Sequence, residues 1–105
     1  MGIYAVTGGS SGIGAKTVEY LRAQGHLVYN IDVNHGDISA NLATQDGRQQ
    51  VIDRLHALCT EGMDGLVCCA GVSNSCGNLK LIISLNYFGA VRLAEGVFDL
   101  LQKRH

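Results

Sequence analysis

The sequence has 105 residues, 47% of them hydrophobic and 16% charged, with a formal net charge of −1, which suits one folded domain spanning residues 1–105 and excludes a disordered chain. So small a charge excludes the basic field that nucleic acid or an anionic membrane surface requires. The four cysteines include no Cys-x-x-Cys pair and the four histidines are scattered, so no metal site is expected, and reduced thiols point to the cytoplasm.

Gly2 to Thr7 is a short apolar run that ends in glycines and predicts a buried strand. Gly12 to Gln24 predicts a helix with Ile13, Val18 and Leu21 on its apolar face and Gly25 as its stop. Leu27 to Asp32 predicts a second strand, completing a right-handed βαβ unit with parallel strands. Ile38 to Leu42 is a weaker strand candidate. Only five residues separate it from Asp32, whereas a parallel crossover takes about a dozen or more, so any strand here must be very short. Thr44 is a natural N-cap for a helix running to about Cys59, with Val51, Leu55 and Leu58 on one side. Gly65 to Ala70 is continuously apolar, as buried parallel strands are.

Leu79 to about Gln102 predicts one last helix. Its first two turns are apolar nearly all round, through Leu81, Ile82, Ile83, Leu85, Tyr87 and Phe88, and therefore need partners on more than one side. Gly89 and Gly96 fall on one face, marking either close packing or tolerated glycine. The first residues lack the pattern of a signal peptide, and Leu81 to Val91 is too short to span a bilayer. Alternating strands and helices predict an α/β layered fold with a mostly parallel sheet.

Between the first strand and first helix stands Thr7-Gly8-Gly9-Ser10-Ser11-Gly12-Ile13-Gly14. Glycines there end the strand, let a ligand approach the backbone, and open a helix whose free N–H groups and partial positive charge suit a diphosphate. The amides of Ser10, Ser11 and Ile13, with the serine hydroxyls, are the candidate donors. Asp32 closes the second strand twenty residues after Gly12. A carboxylate there accepts hydrogen bonds from adenine-ribose hydroxyls and repels a 2′-phosphate, so with no arginine beside it NAD is favoured over NADP. A solvated aspartate next to a structural turn is the alternative.

The T-G-x-x-x-G-I-G spacing of Thr7 to Gly14 resembles the signature of the short-chain dehydrogenase/reductase family. Cys69-Ala70-Gly71 is similar to the end of that family's Asn-Asn-Ala-Gly segment, and Asn86 falls where the family carries an active-site asparagine. All 105 residues align in order with the family's first half. Within it the chain most resembles the bacterial 3α-hydroxysteroid dehydrogenase/carbonyl reductase group, through Gly25-His26, Ile31-Asp32, Gly62 to Val67 and Asn86 to Ala90. The resemblance implies a Rossmann-like three-layer fold, with about four parallel strands in the order 3-2-1-4 and helices on both faces. It implies NAD(H) as cofactor and steroid or other small carbonyls and their alcohols as substrates. The implied cofactor-binding residues are Gly8, Ser10, Ser11, Gly12, Ile13, Gly14, Asp32, Asn41, Leu42, Cys69, Ala70 and Gly71, and the implied catalytic residue is Asn86. Asn41 stands where the family usually has aspartate; its carbonyl can still accept a bond from the adenine amino group, without the charge. Cys69 replaces an asparagine that braces the sheet.

The family's catalytic serine and Tyr-x-x-x-Lys pair fall beyond His105. None of Tyr4, Tyr20, Tyr29 and Tyr87 is followed by lysine four residues later. The chain is therefore expected to be inactive alone, and to act on a substrate only when completed by a C-terminal half. A non-catalytic nucleotide-binding or self-assembling module, and a decayed remnant binding nothing, are the other readings. With Gly65 to Ala70 as an open sheet edge and the Leu81 to Phe88 face uncovered, a homo-oligomer is expected.

Overall fold

A computed structural model of the chain describes residues 1–72 and 77–105. Cys76, one of the cysteines read as reduced, lies outside the described residues. Strand β1 (Ile3–Thr7) is followed by helix α1 (Gly12–Ala23), strand β2 (Leu27–Asp32), strand β3 (Ile38–Ser39), helix α2 (Gln45–Leu58) and strand β4 (Gly65–Cys68). The strands form one parallel sheet in the order β3-β2-β1-β4. The layered α/β fold expected from the alternation is found, and so is the 3-2-1-4 strand order that the resemblance implied. β3 is only two residues long and pairs Ile31 with Ile38 and Asp32 with Ser39, the outcome that the five-residue connection demanded.

Alternation along β1 divides the core in two. Val6 faces α1 and packs with Val18 and Val28, with Tyr4, Leu21 and Val67 around them. Ala5 points the other way, into a larger cluster with Ile31, Val51, Leu55, Met63, Leu93, Val97 and Leu100. Helices thus cover both faces of the sheet, and the period-2 pattern of the central strand decides which residue meets which layer. Cys59 is buried in the second cluster, where desolvation raises its thiol above the ordinary value, so it is a packing residue rather than a nucleophile.

The Thr44 side chain accepts a hydrogen bond from the Gly47 N–H at 3.0 Å and starts α2 as expected. Three expectations are corrected. Ile13 is 80% exposed; the first turn of α1 projects past the sheet, so only Val18 and Leu21 serve its apolar face. Leu58 is exposed too, because the helix ends there and Cys59 turns inward instead. β4 is shorter than predicted and only half-buried, since it is an edge with one neighbour.

The last helix is not continuous. It runs as α3 (Leu79–Ile82), a π-helical stretch Ile83–Phe88, α4 (Gly89–Gly96) and α5 (Phe98–Gln102). The break before α5 falls at Val97, whose φ of −114° and ψ of 11° leave the helical range. Both glycines mark close packing: a Cβ on Gly89 would meet the Leu42 carbonyl oxygen at 3.3 Å, and one on Gly96 would collide with the Ile52 side chain. Leu79, Ile83 and Tyr87 remain exposed, so the apolar first turns do not find the partners their composition calls for. Among the described residues no helix is long and apolar enough to cross a membrane.

Candidate functional site

The site is assembled at the C-terminal ends of the parallel strands. β1 carries the chain upward to Thr7, and the following loop turns at Gly8, whose φ of +69° is a left-handed conformation that glycine adopts without strain. A Cβ at Gly8 would also lie 2.7 Å from the Ala70 amide nitrogen, so the loop after β1 and the loop after β4 press together backbone to backbone. Gly14 tucks its Cα beneath the Gly8 carbonyl, where any side chain would collide. Gly12, with φ +56°, has open space where a Cβ would stand.

At the start of α1 the Ser11 side chain makes no capping bond. The first amide of this region bonded back into the helix is that of Ala15, to the Ser11 carbonyl at 3.2 Å. Among the described residues, the amides of Gly12, Ile13 and Gly14 donate to no protein acceptor. A helix N-terminus with unsatisfied donors carries about half a positive charge, and an anion completes it.

These amides border a cavity of about 430 Å³. Gly8, Ser11, Gly12, Ile13 and Gly14 line it from the glycine loop, Asp32 and Val33 from the end of β2, Asn41 and Leu42 from the turn before α2, and Cys69, Ala70 and Gly71 from the loop after β4. The structure thus brings together every residue implied for cofactor binding except Ser10. The Ser10 N–H is donated to Asp32 Oδ2 at 3.1 Å, and its hydroxyl is shared between Asn30 and His35. The fold itself consumes this donor group.

Asp32 is half-buried, and its other oxygen, Oδ1, accepts from the Val33 N–H at 2.7 Å. Asn41 Oδ1 accepts from the Ala43 N–H at 3.0 Å, leaving a second lone pair toward solvent. Leu42 is buried and presents its carbonyl to Arg48.

Asn86 does not line this cavity. It sits in the π-helical stretch, its Oδ1 accepting from the Val72 N–H and its Nδ2 donating to the Val72 carbonyl, both at 2.8 Å. A Cβ on Gly71 would meet Asn86 Oδ1 at 3.0 Å, so glycine there serves this clamp as well as the cavity wall.

Sequence reasoning assigned no role to Thr7, yet Thr7 braces the site. Buried at the end of β1, its Oγ1 accepts from the amides of Cys69 at 3.1 Å and Ala70 at 3.2 Å. The bracing expected from an asparagine at position 69 thus comes from the neighbouring strand. A lone threonine closing a buried strand, where a valine would satisfy the core equally well, was the available signal.

No family profile matches the chain. Two curated proteins are similar to it over most or all of its length. One is a 3-alpha-hydroxysteroid dehydrogenase/carbonyl reductase of Comamonas testosteroni, 41% identical over 105 residues, covering 100% of this chain and 41% of that protein. The other is a coniferyl-alcohol dehydrogenase of Pseudomonas sp. (strain HR199 / DSM 7063), 35% identical over 103 residues, covering 92% of this chain and 38% of that protein. Among solved structures, a 3-alpha-hydroxysteroid dehydrogenase from Pseudomonas sp. B-0831 complexed with NADH superposes with a TM-score of 0.87 at 40% identity, covering 96% of this chain and 42% of that one. The chain spans about two fifths of the length of the curated relatives it matches.

Proposed function

The chain belongs to the short-chain dehydrogenase/reductase family, whose N-terminal part it matches, and we propose that residues 1–105 are the NAD(H)-holding domain of an oxidoreductase acting on alcohols and ketones of the hydroxysteroid or carbonyl class. The observation that carries this reading is the uncapped start of α1, opening on a cavity that also holds the Asp32 carboxylate. The relative solved with NADH supports the same cofactor.

The residues present fit the group. The free amides at Gly12 to Gly14 would take the diphosphate, and the open space at Gly12 would leave room for its close approach. Asp32 would accept from the adenine-ribose hydroxyls, Asn41 and Leu42 would flank the adenine, and the backbone from Cys69 to Gly71 would border the second ribose, all of them residues that line the cavity. When bound, the nicotinamide supplies the hydride acceptor or donor. These residues supply orientation and electrostatics, and no proton transfer.

Asn86, with its amide committed to Val72, holds the wall of the cavity rather than touching substrate. No tyrosine in these 105 residues has lysine four places on, so the pair that would activate a substrate oxygen is not supplied here, and general acid/base help typically contributes about 10²–10⁴-fold. The expected behaviour is binding without turnover. The unpaired thiols of Cys59, Cys68 and Cys69 suit a cytoplasmic setting.

Titration calorimetry of the 105-residue protein, followed by an assay with steroid and simple ketones and NADH, tests the reading. NAD should bind more tightly than NADP, and no ketone should be reduced. An absence of heat with NAD, NADH and ADP alike would exclude it.

A further inference from the structure

We infer that Ser10 and Asp37 are positioning residues that lock the Asp32 carboxylate in place and so set the preference for NAD over NADP. The inference rests on the function proposed above and concerns how that site discriminates.

The Asp32 carboxylate is held at both ends. Oδ2 accepts from the Ser10 N–H at 3.1 Å and Oδ1 from the Val33 N–H at 2.7 Å. Two backbone donors fix the plane of the group and leave each oxygen further lone-pair capacity for a ribose hydroxyl. They also place a fixed negative charge where a 2′-phosphate would come. The Ser10 amide, the loop donor spent on this carboxylate, is at the same time withheld from any phosphate.

What fixes Ser10 is its own hydroxyl. Oγ accepts from Asn30 Nδ2 at 3.1 Å and donates to the His35 carbonyl at 3.2 Å. Asn30 is only 9% exposed, so the loop is pinned to the sheet interior through it. The segment that carries His35 is held in turn by Asp37. β3 pairs with β2 only at Ile31 and Asp32, and just before that pairing Asp37 Oδ2 accepts from the Asn30 N–H at 2.8 Å. The same oxygen accepts from Arg22 Nη2 at 3.0 Å, whose other bond goes to the Val28 carbonyl. The Arg22–Asp37 pair is half exposed and of little worth as an ion pair. The charge-assisted bond to the Asn30 amide is the part that shapes the segment. A chain of contacts therefore runs from Asp37 to Asn30, from Asn30 to Ser10 and from Ser10 to Asp32, with the His35 carbonyl as a second anchor for the Ser10 hydroxyl.

The test uses the 105-residue protein with Ser10→Ala, Ser10→Thr and Asp37→Ala. NAD and NADP are titrated separately, and the exchange rates of the backbone amides at positions 10 and 33 are read without nucleotide. The ratio of the NADP to the NAD dissociation constant is expected to fall about three- to tenfold in Ser10→Ala and Asp37→Ala, the loss of roughly one net hydrogen bond. Ser10→Thr should keep the wild-type ratio, and exchange at position 10 should quicken in the two alanine variants. Equal weakening of both nucleotides with an unchanged ratio would overturn the inference and make Ser10 a common phosphate contact or a purely structural residue. An unaltered protein that bound neither nucleotide would overturn the proposed function, and this inference with it, whatever the exchange rates did.

Discussion

At the scale of single residues, the proposed nucleotide binding turns on a few atoms of the glycine loop and on one carboxylate. Asp32 faces the cavity and is held by two amides. Hydrogen bonds to a charged group are worth about 1.5–3 kcal/mol each, so Asp32→Ala should weaken NAD about tenfold or more while NADP loses less. Separate titrations with the two nucleotides check this, and an unchanged preference for NAD would remove Asp32 from the site. Gly14 makes a different kind of contribution. Its missing side chain lets α1 begin directly beneath the Gly8 carbonyl, and overpacking of this kind costs about 1–3 kcal/mol. Gly14→Ala should lower the urea midpoint accordingly, with binding weakened because the loop must shift; a midpoint equal to that of the unaltered protein would mean that the collision is relieved elsewhere. Much at this scale was legible in the sequence, because glycine spacing and an acid at a strand end are local signals. Ser10 was not. Whether its amide faces a ligand or is spent on Asp32, 22 residues away, depends on how the segment after β2 folds back, which no local pattern encodes.

At the scale of elements, β1, α1, β2 and α2 could be read from run length, alternation and caps, and their bounds fall within a residue or two of expectation. The last helix could not. No proline interrupts Leu79 to Gln102, and the reasons for its change of winding are tertiary: Asn86 reaches to Val72, Gly89 presses on Leu42, and Gly96 presses on Ile52. Its final segment, α5, is tied to α2 by His56. Nδ1 faces the Ile52 carbonyl at 2.8 Å and Nε2 the Asp99 carboxylate at 2.9 Å. Both partners are acceptors, so only the doubly protonated ring satisfies both. The Ile52 carbonyl first, and Asp99 after it, raise the His56 pKa above 6.5, while the bond from His56 holds Asp99 below 3.8. The raised histidine adds stability that is complete below pH 6.5 and is lost as pH rises through its folded value. The depressed aspartate adds stability that is present above pH 3.8 and is lost as pH falls through its own folded value. The pair therefore helps most between those limits. Asp99→Asn should flatten the decline in urea stability expected of the unaltered protein as pH rises above 6.5; identical slopes in the two proteins would dismiss the coupling.

At the scale of the whole molecule, the sheet has two edges of different character. β3 ends one side with two residues, whereas β4 ends the other with an apolar Gly-Leu-Val-Cys strand that pairs on one side only. Leu79, Ile83 and Tyr87 add an exposed apolar face on the last helical region. We propose that copies of the 105-residue protein associate through these surfaces, since open strand edges and apolar patches recruit partners. Light scattering at micromolar concentration should give more than the monomer mass, and a monomer would refute the association. The free amides that open α1 are proposed as the seat of a nucleotide diphosphate. Amide chemical shifts recorded while NADH is added test it most directly. The largest saturable movements are predicted at Gly12, Ile13 and Gly14, with smaller ones at Val33 and Ala70. Saturable binding that left Gly12 to Gly14 unmoved, or no movement at all, would contradict it.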